Sequence, residues 1–470
     1  MNTVSKPVKE GAKPAGSVTP LAAWALSFGC AVGWGAFMMP GNSFLPIAGP
    51  LGTVLGFLIG ALIMLIVGVN YHYMMKLYPD DGGALSFVRN TFDADHGFVA
   101  AWFILLTYVA IVWANATALP LIGRFLLGNI FQFGLHYEVA GFQLYLGELL
   151  LAIGALILFS LLCTRGKVIL TVQIAMALLL CVGVLTCASA VFRHHEGGLA
   201  SYAPAFAPGR KPWVGVFTII AMGPWAFVGF ESISHSTGEF RFPVKRALPI
   251  MGLALVTGTL AYVTLSIVAV SILPAGFDNW ADYIAAKDSL DGLQGAPVFY
   301  AVTTALGPIG TPILVFTILG AVVTGIVGNT IAASRLICSM ALEGMMPAPL
   351  GRLNKSGVPE NAILLIMGIS VFIPLFGRTA VGWIVDVTTV GAAVAYAYVS
   401  ASALKTARKM NNRTVKITGM IGVSFSLVLL LYYLVPNLLA VTALSHESYL
   451  ILALWSVLGL IAFRFLLLRD

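Results

Sequence analysis

The sequence predicts an all-α integral membrane protein, and its composition, apolar runs and charge placement all support this prediction. Hydrophobic residues make up 59% of the 470 residues and charged residues only 10%, whereas soluble domains carry about 25% charged residues. Many apolar runs reach the roughly 20 residues that a helix needs to cross a bilayer. The net charge of +7 comes from residues at the ends of these runs, which favours membrane orientation over nucleic-acid binding.

Twelve membrane spans are predicted from the apolar runs that charged or turn residues bound. They lie near residues 21–47, 51–77, 97–121, 141–163, 168–192, 214–238, 247–273, 306–336, 361–376, 382–404, 416–436 and 448–468. Because twelve is an even number, both termini are expected on the same side of the membrane.

The basic residues predict which side that is. If the termini are cytoplasmic, 20 of the 26 Lys and Arg residues lie on the cytoplasmic side, as the positive-inside rule requires. The outer loop 274–305 agrees, because it carries four aspartates and one lysine. The first 20 residues are polar and unlike a cleavable signal peptide. We therefore expect a multi-pass protein of the cell (inner or plasma) membrane with cytoplasmic N- and C-termini.

Glycine and proline residues interrupt the first predicted span at its centre. Gly29, Gly33 and Gly35 lie within the run and Pro40 follows; glycine loosens a helix and proline removes one of its hydrogen bonds. Irregular backbone inside a membrane is tolerated only where it is buried in protein or lines a wet cavity. The interruption therefore predicts either a binding site, at which unpaired backbone groups contact a solute, or a close-packed contact between helices.

The sixth span is interrupted in the same way, by Gly223, Pro224 and Gly229. Spans 1 and 6 open two successive blocks of five helices, and because five is odd the second block has the opposite topology. Matching interruptions in two inverted halves indicate the binding site of a secondary transporter. The alternative is that glycine and proline are simply common in membrane helices.

Four segments, taken in order, resemble the sequence signature of the amino acid–polyamine–organocation permeases. Gly33-Trp-Gly-Ala-Phe37 in span 1 resembles the G-[ST]-G-[IV]-F motif of that family. The other three are the segment 79–87 with its paired glycines, the segment 227–249 through span 6, and the segment 334–359 after span 8. The resemblance covers roughly residues 20–440, and the conjunction of the four segments is specific although each is weak alone.

The resemblance implies a leucine-transporter-type fold, with a 5+5 inverted repeat of helices and two extra helices. It divides the chain into a cytoplasmic tail (1–20), a ten-helix transport core (21–404), a basic cytoplasmic loop (405–415) and two additional spans (416–470). It also implies uptake or exchange of amino acids or their amines. Trp225 and Glu231 together look most like the bacterial amino acid/amine antiporters.

Two departures from the family pattern bear on mechanism. Trp34 stands where the family usually has a small Ser or Thr beside the substrate carboxylate, so a compact substrate or a decarboxylated amine is expected. Proton-coupled members often carry a Lys in mid-span 5, where a sodium ion would otherwise lie. Span 5 has no Lys after Lys167 at its start, which leaves exchange or another proton carrier.

The freed backbone of the first interruption is predicted to bind a carboxylate. The second half-helix begins there, and its N–H groups and positive end suit an anion. The groups concerned belong to Gly33, Trp34, Gly35 and Ala36.

Glu231 is the only acidic residue near the middle of a predicted span. Such residues face cavities and are functional by default. An apolar setting favours a neutral carboxyl, so Glu231 is predicted to carry a proton or to bind a substrate ammonium. A structural hydrogen bond to the neighbouring broken helix is the alternative. His235, one turn later, either shares the proton or caps the inner end of the span.

Aromatic residues of span 6 are predicted to contact the substrate. Trp225 lies within the interruption and can stack on an ammonium or guanidinium group; plain packing is the alternative. Phe227 and Phe230 complete the aromatic set of predicted binding residues.

Several polar residues at membrane depth have two interpretations. Tyr108, Asn115 and Asn329 either bind substrate or bridge helices, whereas Glu148 and Asp386 are expected at entrances or interfaces within reach of water. Tyr108 and Asn329 are included among the predicted binding residues.

No enzyme signature is found, since the sequence has neither a phosphate-binding glycine loop nor metal-ligand spacing. The five cysteines show no metal or disulfide spacing and are expected as buried free thiols. We therefore expect a transporter of amino acids or amines, without cofactor or metal, in a lipid bilayer; a homodimer is left open. The alternatives are a sodium-coupled symporter, a transporter-fold sensor, and a channel, which scattered single polar groups disfavour.

Overall fold

A computed structural model describes residues 16–436 and 444–467 of the chain. Helices dominate this part. The helices of the first half are α1 (Pro20–Ala31), α2 (Gly35–Met39), α3 (Leu45–Leu77), α4 (Ala84–Thr91), α5 (Ala94–Leu127), α6 (Leu146–Cys163), α7 (Lys167–His194), α8 (Pro212–Ala221) and α9 (Gly223–Phe227). Those of the second half are α10 (Ala247–Ser271), α11 (Trp280–Ala286), α12 (Pro297–Leu306), α13 (Gly310–Leu342), α14 (Glu360–Ser370), α15 (Gly377–Lys409), α16 (Arg413–Leu434) and α17 (His446–Leu467).

The prediction of a helical membrane protein is confirmed. Nine helices of the described chain are long and apolar enough to cross a membrane. The number rises to ten if the bent pair of helical segments Pro212–Ala221 and Gly223–Glu239 counts as one span. Two shorter apolar helices, Pro20–Ala31 and Glu360–Phe376, coincide with predicted spans 1 and 9. The total of twelve spans and the inverted repeat stay predictions.

The first interruption separates α1 from α2. Helix α1 starts behind Thr19, whose hydroxyl accepts a hydrogen bond from Ala22 N at 3.2 Å. It ends at Ala31 because Val32 adopts an extended conformation (φ −109°, ψ 104°). Helix α2 then begins at Gly35, as the glycine pattern predicts.

The second interruption follows α9. Val228 leaves the helical region (φ −55°, ψ 138°), and the chain continues after Glu231 as a 3₁₀-helix over Ser232–Glu239. The segments before and after Met222 are bent by 42°. Gly229 has φ 102°, and a Cβ there would overlap Cys30 Cβ of α1. The two interruptions therefore touch each other at the centre of the bundle.

A two-stranded hairpin corrects the predicted start of span 4 (141–163). Strands β1 (His136–Val139) and β2 (Phe142–Tyr145) pair antiparallel, and α6 begins only at Leu146. Ala140 (φ 49°) and Gly141 (φ 81°) both have positive φ, as a tight hairpin turn requires. We call the end of the bundle that carries this hairpin the hairpin side, which the charge distribution predicts to be external.

Helices also extend into the predicted basic loop 405–415. Helix α15 continues through Lys409 and α16 begins at Arg413, so only three residues separate them. Of the predicted N-terminal tail, residues 1–15 lie outside the described residues.

The opposite end of the bundle, which we call the N-terminal side, is closed by contacts between α1, the 3₁₀ extension of span 6 and α13. Val18 forms a parallel β-bridge with Phe240. Glu239 pairs with Arg335 at 2.9 Å and accepts a hydrogen bond from Ser17. These contacts tie the start of span 1 to the end of span 6.

Asp81, in the loop after α3, strengthens the same closure. Its carboxylate accepts a hydrogen bond from Gly238 N at 2.7 Å. Burial raises the pKa of Asp81, and the charge of Arg335 and the Gly238 bond oppose that rise. The loop after span 2 is thereby fixed against the end of span 6.

The sharp connection between spans 1 and 2 supplies a test of the backbone geometry. Gly49 has φ 69°, and a Cβ there would lie 2.6 Å from the backbone carbon of Phe206. We expect Gly49→Ala to destabilise the protein by more than about 2 kcal/mol, because left-handed backbone and a backbone clash add. Thermal unfolding in detergent measures this. Gly154→Ala is the control, since no atom lies within 4 Å of its added Cβ; equal melting temperatures of the two variants would contradict the geometry.

Candidate functional site

The first interruption leaves two backbone donors without acceptors. Trp34 N donates to Asn115 Oδ1 at 3.3 Å, and Ala36 N donates to Gly33 O at 3.2 Å. The N–H groups of Gly33 and Gly35 find no acceptor among the described residues. Of the four predicted anion-binding groups, these two are the ones that remain available to a ligand.

The carbonyl groups at the end of α1 are satisfied by side chains from other helices. Asn329 Nδ2 donates to Cys30 O at 3.3 Å, and the hydroxyl of Tyr262 donates to Ala31 O at 3.2 Å. Asn329 and Asn115 thus adopt the predicted helix-bridging arrangement. Tyr262 is not among the predicted residues, because its only sequence signal is a hydroxyl in the middle of an apolar span.

A small cavity lies against this interruption. Its volume is about 20 Å³, which is close to the space that one water molecule needs. Its lining comprises Cys30, Ala31, Gly33, Trp34, Gly35, Ile111, Ala114, Asn115, Trp225 and Tyr262. The predicted residues Trp34 and Trp225 therefore meet at one cavity, which in this conformation is too small for an amino acid.

A larger vestibule of about 280 Å³ opens on the hairpin side of Trp34. Trp34 lines both the vestibule and the small cavity, so its indole separates them. Asp386 also lines the vestibule, in agreement with its predicted place at an entrance, and its carboxylate accepts a hydrogen bond from Ser448 at 2.7 Å.

A second vestibule, of about 320 Å³, continues the path towards the hairpin. It shares Asn42 and Leu121 with the first vestibule and is lined by Arg124, Lys287 and further charged side chains. Two adjacent vestibules thus lie between the hairpin side and Trp34.

Glu231 is fully buried and accepts three hydrogen bonds. Its donors are the hydroxyl of Tyr108 at 3.0 Å, the hydroxyl of Tyr396 at 3.1 Å and the N–H of Gly229 at 3.0 Å. Neither Glu231 nor Tyr108 is among the residues that line the small cavity. The carboxylate therefore holds α5 and α15 to the second interruption. Tyr396 is not among the predicted residues.

His235 does not cap the inner end of the span, which is one of its two predicted roles. It is completely buried, and neither ring nitrogen has a hydrogen-bond partner among the described residues. Its ring packs at 5.6 Å edge-on to Tyr108 and against Gly83, where a Cβ would lie 2.6 Å from the ring. The absence of a side chain at Gly83 provides the space for this imidazole.

The two predicted phenylalanines lie away from both the cavity and the vestibules. Phe227 packs against Phe57 and Tyr262, and Phe230 packs against Tyr396. They surround the second interruption, and their contact with substrate stays a prediction.

Glu148 corrects another expectation, because it is not within reach of water. Its side chain is 0% exposed and forms an ion pair with Arg124. The carboxylate also accepts a hydrogen bond from Tyr145 N at 3.1 Å, which caps the start of α6. This ion pair joins α5 to α6 beside the second vestibule.

Interrupted apolar helices that meet around a buried polar cavity define a multi-pass membrane protein of the transporter class. The chain belongs to the amino acid permease family, whose sequence model matches residues 25–466. This family lies within the amino acid–polyamine–organocation superfamily, so the resemblance seen in the sequence is confirmed.

Similar proteins are permeases and transporters. The branched-chain amino acid permease BcaP of Lactococcus lactis subsp. cremoris (strain MG1363) is 23% identical, over 80% of this chain and 78% of its own length. The amino-acid permease RocC of Bacillus subtilis (strain 168) is 27% identical over 73% and 70% of the two chains. A methylthioribose transporter of the same strain is 23% identical over 70% and 68%. These relatives are transporters rather than enzymes, and family membership indicates transport of amino acids.

The close approach of Gly35 to Trp225 provides a test of the cavity. A Cβ on Gly35 would lie 2.6 Å from Trp225 Cη2, so Gly35→Ala must displace the indole. We expect this substitution to weaken ligand binding by about tenfold or more, which corresponds to about 1.4 kcal/mol, with little loss of expression. Competition binding on purified protein measures the effect.

Gly223→Ala is the matched control, because it lies in the second interruption and its added Cβ would be 3.7 Å from the nearest atom. It should bind as the wild type does. Normal affinity in a well-folded Gly35→Ala variant would show that Gly35 contributes to helix packing and not to ligand binding.

Proposed function

We propose that the protein is a secondary active transporter that moves amino acids or related amines across the cell membrane by alternating access, through exchange or proton linkage. In this proposal twelve helices form a 5+5 inverted repeat with two additional spans, both termini are cytoplasmic, and the substrate binds between the two interruptions. The observation that carries the proposal is the contact of two interrupted helices at Gly229 and Cys30, beside backbone N–H groups that lack acceptors.

The distribution of closed and open ends supports alternating access. Vestibules of about 280 and 320 Å³ lead from the hairpin side to Trp34, while the N-terminal side is held by Arg335, Glu239 and Val18. This corresponds to an outward-facing conformation in which Trp34 covers a collapsed site. Substrate entry then requires the indole of Trp34 to move.

The predicted contacts with the substrate follow from the same geometry. The N–H groups of Gly33 and Gly35 are the donors for a carboxylate, and the indoles of Trp34 and Trp225 provide surfaces for an ammonium or guanidinium group. Ala36 and Asn329 support the binding backbone. Tyr108, Phe227 and Phe230 join the site only if the second interruption rearranges when the substrate enters.

Gln173 favours a mechanism that does not depend on sodium at the junction of spans 1, 5 and 8. Its buried amide nitrogen donates to Ala25 O at 3.1 Å and to Thr324 O at 3.3 Å. The neutral amide of Gln173 thus already donates hydrogen bonds to carbonyl groups that would otherwise coordinate a cation. Replacing sodium with choline during uptake into proteoliposomes tests this, and loss of uptake would favour the sodium-coupled alternative.

Ligand-dependent stabilisation tests the proposed function as a whole. A thermal-shift screen of purified protein against amino acids and their decarboxylation products should identify ligands, since a ligand that binds only the folded state raises its melting temperature. The ligands found should then be accumulated or exchanged by proteoliposomes. Binding without any transport would favour the transporter-fold sensor.

Glu231 is proposed to link transport to protons, because it is the carboxylate at the contact of α5, α15 and the second interruption. Glu231→Gln keeps the side-chain shape but removes the titrating group and one acceptor oxygen. We expect it to flatten the pH dependence of transport between about pH 5 and 8 or to abolish uptake, while the protein stays folded.

Tyr396→Phe is the control for this experiment. It removes one hydrogen bond to the carboxylate but leaves the carboxyl able to titrate, so a pH-dependent profile should persist. If Glu231→Gln transports with an unchanged pH profile, the proposed proton linkage is wrong.

Trp34 is proposed to set substrate size, since its indole separates the small cavity from the 280 Å³ vestibule. Trp34→Ser should join the two spaces and admit larger α-amino acids. It should also weaken binding of the native substrate by about tenfold, because stacking on the indole is lost. Trp34→Phe keeps an aromatic cover and should retain the wild-type ranking. A competition series of increasing ligand size measures both; an identical ranking in Trp34→Ser would show that Trp34 does not determine selectivity.

A further inference from the structure

An apolar groove of about 440 Å³ lies between α5, α15 and α17 and shares no lining residue with the cavity at the interruptions. Its walls are mainly aromatic and aliphatic side chains, among them Phe98, Phe103 and Phe463. Leu460 on its rim is 68% exposed. Only 17% of the apolar stretch of α17 is buried within the chain, so the groove opens on the surface that faces the membrane.

A pair of tryptophans closes the groove at the depth of the membrane. Trp102 Nε1 donates to Trp455 O at 2.9 Å, Trp455 Nε1 donates to Trp102 O at 3.1 Å, and the two rings stack at 4.6 Å. Gly459, one turn later, lies so close to Trp102 that a Cβ would be 2.6 Å from its Nε1. These contacts fix α17 to α5 at one end of the groove and give it a rigid floor.

The other end of the groove is polar and lies on the N-terminal side. His96, in the lining, stacks on Phe92 at 5.6 Å, and Lys405 Nζ lies 4.3 Å above the same Phe92 ring. Arg464 is exposed and follows Leu460 by one helical turn on α17. Two bases thus bracket the polar end of an apolar groove.

Charge at this end is mixed, because the exposed carboxylate of Asp95 is in the groove lining and Asp93 lies two residues before it. The Asp93 carboxylate accepts a hydrogen bond from the backbone N–H of His96 at 2.9 Å and lies 2.8 Å from Nδ1 of the His96 ring. These hydrogen bonds lower the pKa of Asp93. Neither Lys405 nor Arg464 forms an ion pair with a described carboxylate. The pair of bases therefore remains available for an anion.

We infer that this groove binds one phospholipid from the leaflet on the N-terminal side. An acyl chain lies along the groove up to the Trp102–Trp455 pair, and the phosphate lies at Lys405 and Arg464. Basic pockets between membrane helices on the cytoplasmic side suit anionic headgroups, so an anionic phospholipid is the preferred ligand.

A second copy of the chain fits this surface less well. A twofold interface packs the same surface patch of both copies together. Here each copy would bring Lys405 and Arg464 to that interface, and the like charges of the four bases repel one another. A lipid phosphate supplies the missing negative charge.

Native mass spectrometry of the purified protein tests the acyl-chain site. Leu460→Trp places an indole at the rim of the groove, and Val99→Trp fills it from the opposite wall. Each should lower the fraction of protein that retains a phospholipid by about tenfold, because several methylene contacts are lost. Leu260→Trp is the matched control, since Leu260 on α10 is similarly exposed at 59%; it should retain lipid as the wild type does.

The headgroup is tested on delipidated protein by thermal shift with phosphatidylglycerol and with phosphatidylcholine. Wild-type protein should be stabilised more by phosphatidylglycerol, and the double variant Lys405→Gln/Arg464→Gln should lose this preference. Equal lipid retention by wild type and both Trp variants overturns the site. If Leu460→Trp instead converts a dimer to a monomer without changing lipid retention, the groove is an interface between copies and the inference is wrong.

Discussion

The requirement that backbone polar groups find partners inside an apolar bundle determines the construction of the site. Each interruption frees donors and acceptors that water cannot serve, and side chains from distant helices supply most of the missing partners. Asn329 and Tyr262 satisfy the carbonyl groups at the end of α1, and Asn115 satisfies Trp34 N. These partners leave the N–H groups of Gly33 and Gly35 without acceptors. The unpaired backbone donors of the first interruption therefore lie at one small cavity.

The contacts that close the N-terminal side of the bundle are individually weak. On the N-terminal side, Arg335 and Glu239 form a pair whose side chains are 14% and 29% exposed. Partly exposed ion pairs of this kind contribute only about 0–1 kcal/mol each. A conformational change of the kind proposed needs two states within a few kcal/mol of each other. A closure made of several weak polar contacts meets that condition better than a continuous apolar seal would.

The sequence predicted the interruptions correctly because glycine and proline act locally on the backbone. It could not identify Tyr262, Tyr396 or Gln173 as partners, since a helix that is apolar on all sides gives no periodic signal for the face it turns inward. Proximity in sequence is no guide to the cavity lining: Phe227 lies only two residues from Trp225 in the same helix α9, and a helix of about 3.6 residues per turn places the two side chains on nearly opposite faces. The hairpin escaped prediction because Ala140 adopts a positive φ that alanine rarely takes.

The three hydrogen bonds to Glu231 give a physical reason for linking protons to conformation in the proposed mechanism. An ionised carboxylate accepts from Tyr108, Tyr396 and Gly229 at once. A protonated carboxyl has a hydrogen to donate, and none of these three donors is arranged to accept it without turning. Since the tyrosines belong to α5 and α15, a change of protonation would change the hydrogen bonds that join these helices to the second interruption. That interruption touches the first at Gly229 and Cys30, so in the proposed mechanism this contact is the route by which a proton at Glu231 would act on the backbone that binds the substrate.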